Sequence, residues 1–319
     1  MGFCETFGKK SGAPGLQRGI CANLDNTSLE ARIVDVTTTV HEVQRLRSAA
    51  AKNAGAWLTS YPVCEELRLS DEDCVYAVRH RLGLQYADGL PVFCVCGVDL
   101  SSVAHFQSCH RLRGTAVRSR HDHLVRILAS LFRQVGAVVH VEPRIYGINR
   151  VRPDLDIQLP AQQIMIDVTV AHPSAPSRDS ILHLAAANAA ERKKFSRYSP
   201  LAKQFGATFL PFAVESFGAF GVSAVKVLKL LRQASNTFNS IPASSLGTYA
   251  AQVLAVGLQR GNATVAKRGA VETRAAAVHH PGRRVGNSSV AVAMATGLRL
   301  GSVYGGSSTV HSVLLFLAR

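Results

Sequence analysis

The apolar positions along the chain change period several times, and each change marks an element. Val40, Val43 and Leu46 fall at helical spacing and predict a helix over 40–51. Ala56-Trp57-Leu58 holds the single Trp, and Ser70-Asp71-Glu72-Asp73 reads as a helix start ahead of Val75, Val78 and Leu82. This small helical module ends near Gly89. A second helix is predicted over 120–134, with Leu124, Ile127, Leu128 and Leu131 on one face and Gly136 as its closing residue. Beyond Gly136 the period shortens, and 137–141, 155–159 and 164–170 read as three strands. Residues 181–204 are Ala-rich and predict a long helix that Pro200 should break near its end. A fourth strand over 207–214 and an amphipathic helix over 222–231 follow. The order helix, three strands, helix, strand predicts an α/β fold.

Composition adds a charge to that outline. The 319 residues leave room for one core with appended modules, and 47% hydrophobic with 18% charged residues is ordinary for a globular protein. Lys+Arg number 36 against 21 Asp+Glu, a net charge of +15. Such an excess attracts polyanions, so nucleic acid or an anionic membrane surface is a better partner than a cationic substrate. Residues 251–319 carry eight Lys/Arg and one acid, Glu272, and their Gly, Ser and Ala content predicts a basic, largely disordered tail. The seven cysteines are an odd number in a chain too long to need disulfide staples, which favours a reducing compartment. The N-terminus has no signal-peptide core, and the apolar stretches 290–300 and 310–318 fall short of the ~20 residues that span a bilayer. No membrane partner is expected.

Two acids carry the candidate chemistry. Arg152-Pro153-Asp154 opens one strand, and Asp167 lies thirteen residues later inside the next, between Ile166 and Val168. A carboxylate in an apolar strand is costly unless paired or metal-bound. Two acids brought together by a hairpin bind a hard cation, Mg²⁺ (or Mn²⁺), through oxygen. Phosphodiester hydrolysis needs such a site, with a lysine to activate the attacking water. The layout resembles that of the PD-(D/E)xK nucleases, except that Thr169 stands two residues after Asp167, where their common pattern has Lys. The lysine must then come from the following helix, where Glu191, Lys194 and Tyr198 share a face by their spacing of three and four. Lys194 is the candidate base, with Lys193 next, and Tyr198 would orient Lys194 or a phosphate. Glu142 and Asp156 are secondary acids. Taken singly, a Pro-Asp pair is an ordinary strand entry and Lys194 an ordinary solvated face; the combination points to chemistry.

A second constellation precedes the first. Cys94, Cys96, His105 and Cys109 form C-x-C-x8-H-x3-C, four ligands suited to tetrahedral Zn²⁺, with Gly97 permitting the turn after the first pair. His110 could replace His105, and His121-x-His123 is a weaker ligand source, better read as a polar helix entry. Tyr86-Ala87-Asp88-Gly89 looks like a polymerase Tyr-x-Asp-Asp turn, but Gly89 replaces the second acid and a loop is the better reading.

Residues 54–262 resemble the C-terminal part of site-specific non-LTR retrotransposon proteins that carry a restriction-like endonuclease after the reverse transcriptase. The resemblance is carried in order by Ala56-Trp57-Leu58, Arg81-Leu82-Gly83-Leu84, the Cys94/Cys96/His105/Cys109 knuckle, Arg120-His121-Asp122, Glu142-Pro143, Arg152-Pro153-Asp154, Asp167-Val168-Thr169-Val170, Lys194 to Tyr198 and Gln259-Arg260-Gly261-Asn262. It implies a restriction-endonuclease-like core over 116–250. Before it would lie a helical linker with the zinc knuckle over 54–115, after a partly disordered segment 1–53, and the basic tail 251–319 would follow. The implied activity is metal-dependent nicking of target DNA to prime reverse transcription in the nucleus, with element RNA as a second partner. No polymerase is expected ahead of residue 54, so the chain looks like a fragment or a solitary endonuclease module. The alternative is a non-catalytic, zinc-containing nucleic-acid-binding relic of the same element. A third reading is a basic structural protein whose acids only form salt bridges.

Overall fold

The computed structural model describes residues 26–35, 37–100, 105–112, 114–144, 152–175, 180–238 and 242–279. Its first long-range element is helix α1 (Val40–Ala49), opened by a capping box in which the Thr39 hydroxyl accepts from the Glu42 N–H and the Glu42 carboxylate accepts from the Thr39 N–H. Short 3₁₀ turns at Ala56–Thr59 and Glu65–Leu67 lead to α2 (Asp71–Leu82). As the sequence suggested, the Ser70 hydroxyl accepts from the Asp73 N–H at 3.2 Å; Gly83 closes the helix at φ 76°, a conformation open to glycine.

After α3 (His105–Ser108) and a 3₁₀ turn at His110–Leu112, helix α4 spans Thr115–Gln134 and so begins before the predicted residue 120. Its end is a Schellman turn: the Ala137 N–H reaches the Phe132 carbonyl, the Gly136 N–H reaches that of Arg133, and Gly136 takes φ 79°. Strands β1 (Val138–Val141), β2 (Leu155–Leu159) and β3 (Gln162–Ala171) follow, then α5 (Ala185–Gln204), β4 (Thr208–Glu215) and α6 (Val222–Phe238). Pro200 does not break α5. The helix runs on to Gln204 because Tyr198 and Ala202, either side of the proline, are packed with Met165 and Phe209 of the sheet.

The four strands form one mixed sheet in the order β1-β2-β3-β4, antiparallel except for the parallel pair β3-β4. Alternation along the strands sorts the two faces. Leu155, Ile157, Ile164, Ile166, Val168, Leu210, Phe212 and Val214 point into the main core with α4 and α6, whereas Met165 and Phe209 face α5. Asp154, Asp156 and Asp167 share the parity of the α5 face. The architecture is thus α/β, a four-stranded mixed sheet flanked by helices, with a Cys/His cluster upstream.

Residues 251–279 correct the expectation of a disordered tail. They belong to α7 (Ala243–His279), whose Leu246, Val253, Leu254, Val256, Leu258 and Val265 are buried against α4 and α6. The small residues that resemble linker composition instead allow close packing. At Gly257 and Gly261 a Cβ would collide with Ile127 and Arg120 of α4, and at Gly269 with Phe106 of α3. Residues 280–319 lie outside the described residues, as do residues 1–25 and 36 of the expected N-terminal segment. Among the described residues no helix is long and apolar enough to cross a membrane.

Candidate functional site

The β2-β3 hairpin sets the acid pair. Leu155 pairs with Ile166, so Asp154, one residue further out, stands opposite Asp167. The Asp154 Oδ2 accepts from the Val168 N–H at 2.6 Å and sits 3.0 Å from His121 Nε2 of α4. Asp167 is almost fully enclosed, and Lys194 Nζ of α5 forms an ion pair with its Oδ2. Burial first, and the Asp154 charge second, push the Asp167 pKa above the usual carboxylate range, while Lys194 and Tyr198 pull it down. The Tyr198 hydroxyl is pushed up by burial and by Asp167, donates to the Arg152 carbonyl at 3.2 Å, and its ring lies 5.8 Å from Lys194 Nζ. Asp154, Asp167, Lys194 and Tyr198, singled out on three separate segments, are therefore one group.

The remaining candidates divide. Lys193 is exposed and takes no part. Glu191, on the same helix face as Lys194 by spacing, is buried elsewhere: its two carboxylate oxygens accept from the N–H and hydroxyl of Ser223 and so cap the start of α6. Glu142 takes φ 46° and pairs with Arg152 at 2.7 Å, which turns its carboxylate away from the role of a further metal ligand. Asp156 is completely buried on β2; its Oδ1 accepts from Gln163 at 2.8 Å and its Oδ2 meets no protein donor.

His121, read from the sequence as a polar helix entry, stands instead beside Asp154, a role that the sequence reading did not give it. Burial disfavours its charge, but the Asp154 hydrogen bond and charge, joined by Asp122 at 3.0 Å, outweigh that and raise its pKa to about 9. Its signal was present: residue 121 falls three and seven positions ahead of the buried Leu124 and Leu128, on the inward face of α4. His123 belongs to a different environment, beside Gly257 of α7, and neither histidine joins the cysteines.

The ligand atoms of Cys94, Cys96, His105 and Cys109 all lie within 4.8 Å of one another. A turn closed by the Gly97 N–H on the Cys94 carbonyl, with Gly97 at φ 87°, presents the first two; the ends of α3 present the others. The Cys94 and Cys109 sulfurs are 3.7 Å apart, the edge of a tetrahedron with bonds of about 2.3 Å. Cys96 Sγ and His105 Nε2 are 3.1 Å apart. The Cys109 contact holds the Cys94 thiol pKa down, and the same contact, with burial, holds that of Cys109 up. His110 is exposed and outside the cluster. Asp88 of the polymerase-like turn pairs with Arg79 in an exposed loop.

A buried polar network joins the two sites. Arg120, next to His121, donates to Gln107 Oε1 and, at 2.8 Å, to Asn262 Oδ1. Gln107 donates in turn to Tyr76 and to the Asn262 carbonyl, and Asn262 donates to the Ser216 carbonyl. Burial lowers the Arg120 pKa to about 10, still charged at neutral pH. The Gln259-Arg260-Gly261-Asn262 run is thus where α7 receives Arg120.

The Retrotransposable element SLACS 132 kDa protein of Trypanosoma brucei gambiense is 29% identical over 193 residues, which is 57% of this chain. The chain spans 16% of that protein's length. It is a distant relative of a retrotransposon protein. No protein-family model matches it.

Proposed function

We propose that the chain is a metal-dependent DNA endonuclease module of a non-LTR retrotransposon, which nicks target DNA to leave an end that primes reverse transcription. The observation that carries this reading is the apposition of Asp154 and Asp167 across a hairpin, with Lys194 on the second acid. The order α4, β1-β2-β3, α5, β4, with β4 parallel to β3, supports a restriction-endonuclease-like core.

The acid pair fits a divalent ion by its donor set: two apposed carboxylates offer hard oxygen ligands, and such an ion would take over the charge that Lys194 on Asp167 and His121 on Asp154 now answer. Asp154 and Asp167 would hold Mg²⁺ or Mn²⁺. Such an ion polarises a phosphate and lowers the pKa of a bound water. The Val168 N–H fixes one Asp154 oxygen, and His121 holds the same carboxylate from the side. Lys194, movable on a flexible stem, orients the attacking water or takes its proton once Asp167 is otherwise neutralised. Tyr198 supports the lysine. Exposed Arg192, Lys193 and Arg197 on α5 are placed to meet the phosphate backbone.

The Cys/His cluster would hold one Zn²⁺ and brace α3 against α7. DNA, with element RNA as a second ligand, and a nuclear location follow from the same reading. Supercoiled plasmid with Mg²⁺ tests it: the wild-type protein converts it to the nicked circle, and Asp167→Asn does not. Retarded but uncut plasmid with every divalent metal would favour the non-catalytic relic instead.

A further inference from the structure

A groove of about 1040 Å³ runs between the helical segment 26–34 and the segment after α1 on one side and helices α6 and α7 on the other. Lys52, Arg81, Lys229 and Arg232 line it, and no Asp or Glu does so among the described residues. The two guanidinium groups are seated on glycines. Arg81 lies 3.5 Å from where a Gly55 Cβ would stand, and the Arg232 stem covers Gly247, where a Cβ would come within 2.9 Å of its Cδ. Arg81 Nη1 is buried without a hydrogen-bond partner. Another cation, Arg45, donates to the Arg81 carbonyl at 2.7 Å, and its charge disfavours that of Arg81. A half-buried guanidinium beside another cation, with no carboxylate on it, is a costly arrangement without an anion.

We propose that this groove is a second nucleic-acid site, which holds the phosphodiester backbone of a single strand apart from the acid pair. Cations on both walls suit a polyanion. The volume reaches the upper end of small-ligand sites, roughly 300–1,000 Å³, and exceeds what one phosphate needs. The remaining lining, with Leu58, Val225 and Leu228 beside the neutral polar Asn26, Asn53 and Gln252, contains no aromatic ring for base stacking. That composition favours backbone tracking over recognition of particular bases. None of its residues belongs to the Asp154, Asp167 and Lys194 group, and α6 and α7 lie across the sheet from α5.

The inference rests on nucleic acid as partner but not on catalysis, and the test separates them. Fluorescence anisotropy with labelled oligo(dT), oligo(rU) and a short blunt duplex is measured on the full chain. Two doubles are compared with wild type: Arg81→Gln/Arg232→Gln, and Lys52→Gln/Lys229→Gln, whose side chains are exposed and whose loss leaves folding intact. Each double weakens single-strand binding about tenfold or more and lowers the log–log salt slope by about 0.7 per lost phosphate contact. Duplex binding and duplex nicking change less than about twofold. Asp167→Asn abolishes nicking and leaves strand binding as in wild type; a wild-type protein that never nicks but shows the groove effect sinks catalysis alone. Unchanged single-strand affinity in the exposed-lysine double, an equal loss on duplex, or loss only of binding to phosphatidylserine vesicles overturns the groove assignment.

Discussion

Asp167 gains its meaning from what surrounds it. The sheet face under α5 encloses it, Asp154 faces it, and Lys194 answers it. If Lys194 acts on the attacking water, Lys194→Ala lowers single-turnover nicking by roughly 10²-fold or more while DNA affinity stays nearly unchanged. A loss confined to affinity would make the lysine a phosphate contact only. The acids were legible because an acid in an apolar strand needs a partner, and the lysine because helix spacing put it on the face turned to them. His121 was legible only as an inward-facing helix position, since nothing in its neighbours along the chain says that α4 passes beside Asp154. Another buried histidine makes a separate point. His80, stacked between Tyr76 and Phe217, has its pKa lowered to about 3 chiefly by burial. Its folded pKa lies below the unfolded value of about 6.5, so the unfolded chain binds more protons between those limits. Stability therefore falls as pH drops from about 6.5 towards 3, by up to ~1.4 kcal/mol per unit from this group. Urea titrations across that range should show a shallower fall in His80→Leu than in wild type.

At the scale of elements, α7 is the main departure from expectation. Strand positions were readable from period alone, and β2 coincides with its predicted span. The helix was hidden because Ala, Gly and Ser serve close helix packing as well as linkers, and composition cannot separate the two uses. The buried Arg120 shows the dependence: Asn262→Ala removes an acceptor from an enclosed charge and should cost about 2–3 kcal/mol in chemical denaturation. Gly261→Ala, which forces a methyl group against the Arg120 stem, should cost ~1–3 kcal/mol. Removal of residues 251–319 should abolish cooperative unfolding, since it strips the cover from α4 and α6; a truncated chain with the wild-type midpoint would contradict the role given to α7.

For the whole molecule, the net charge of +15 is distributed rather than gathered in a tail. Part lies on the exposed face of α5 next to the acid pair, part in the groove beside α6, and part on α7. The Cys/His cluster packs on Ala263, Ala266 and Ala270 of α7, so zinc and the fold should be linked. Wild type is expected to carry one zinc per chain by atomic emission, and Cys109→Ser to carry none and to unfold at a lower temperature. Equal zinc content in both would remove the cluster from the account. The central claim is that Asp154, Asp167 and Lys194 hydrolyse a DNA backbone. End-labelled duplex incubated with purified protein and Mg²⁺ tests it directly. A single-strand cut leaving a 3′-hydroxyl, lost in EDTA and in Asp167→Asn, is the predicted result. Duplex that is bound but never cut, or cut equally by the variant, would contradict it.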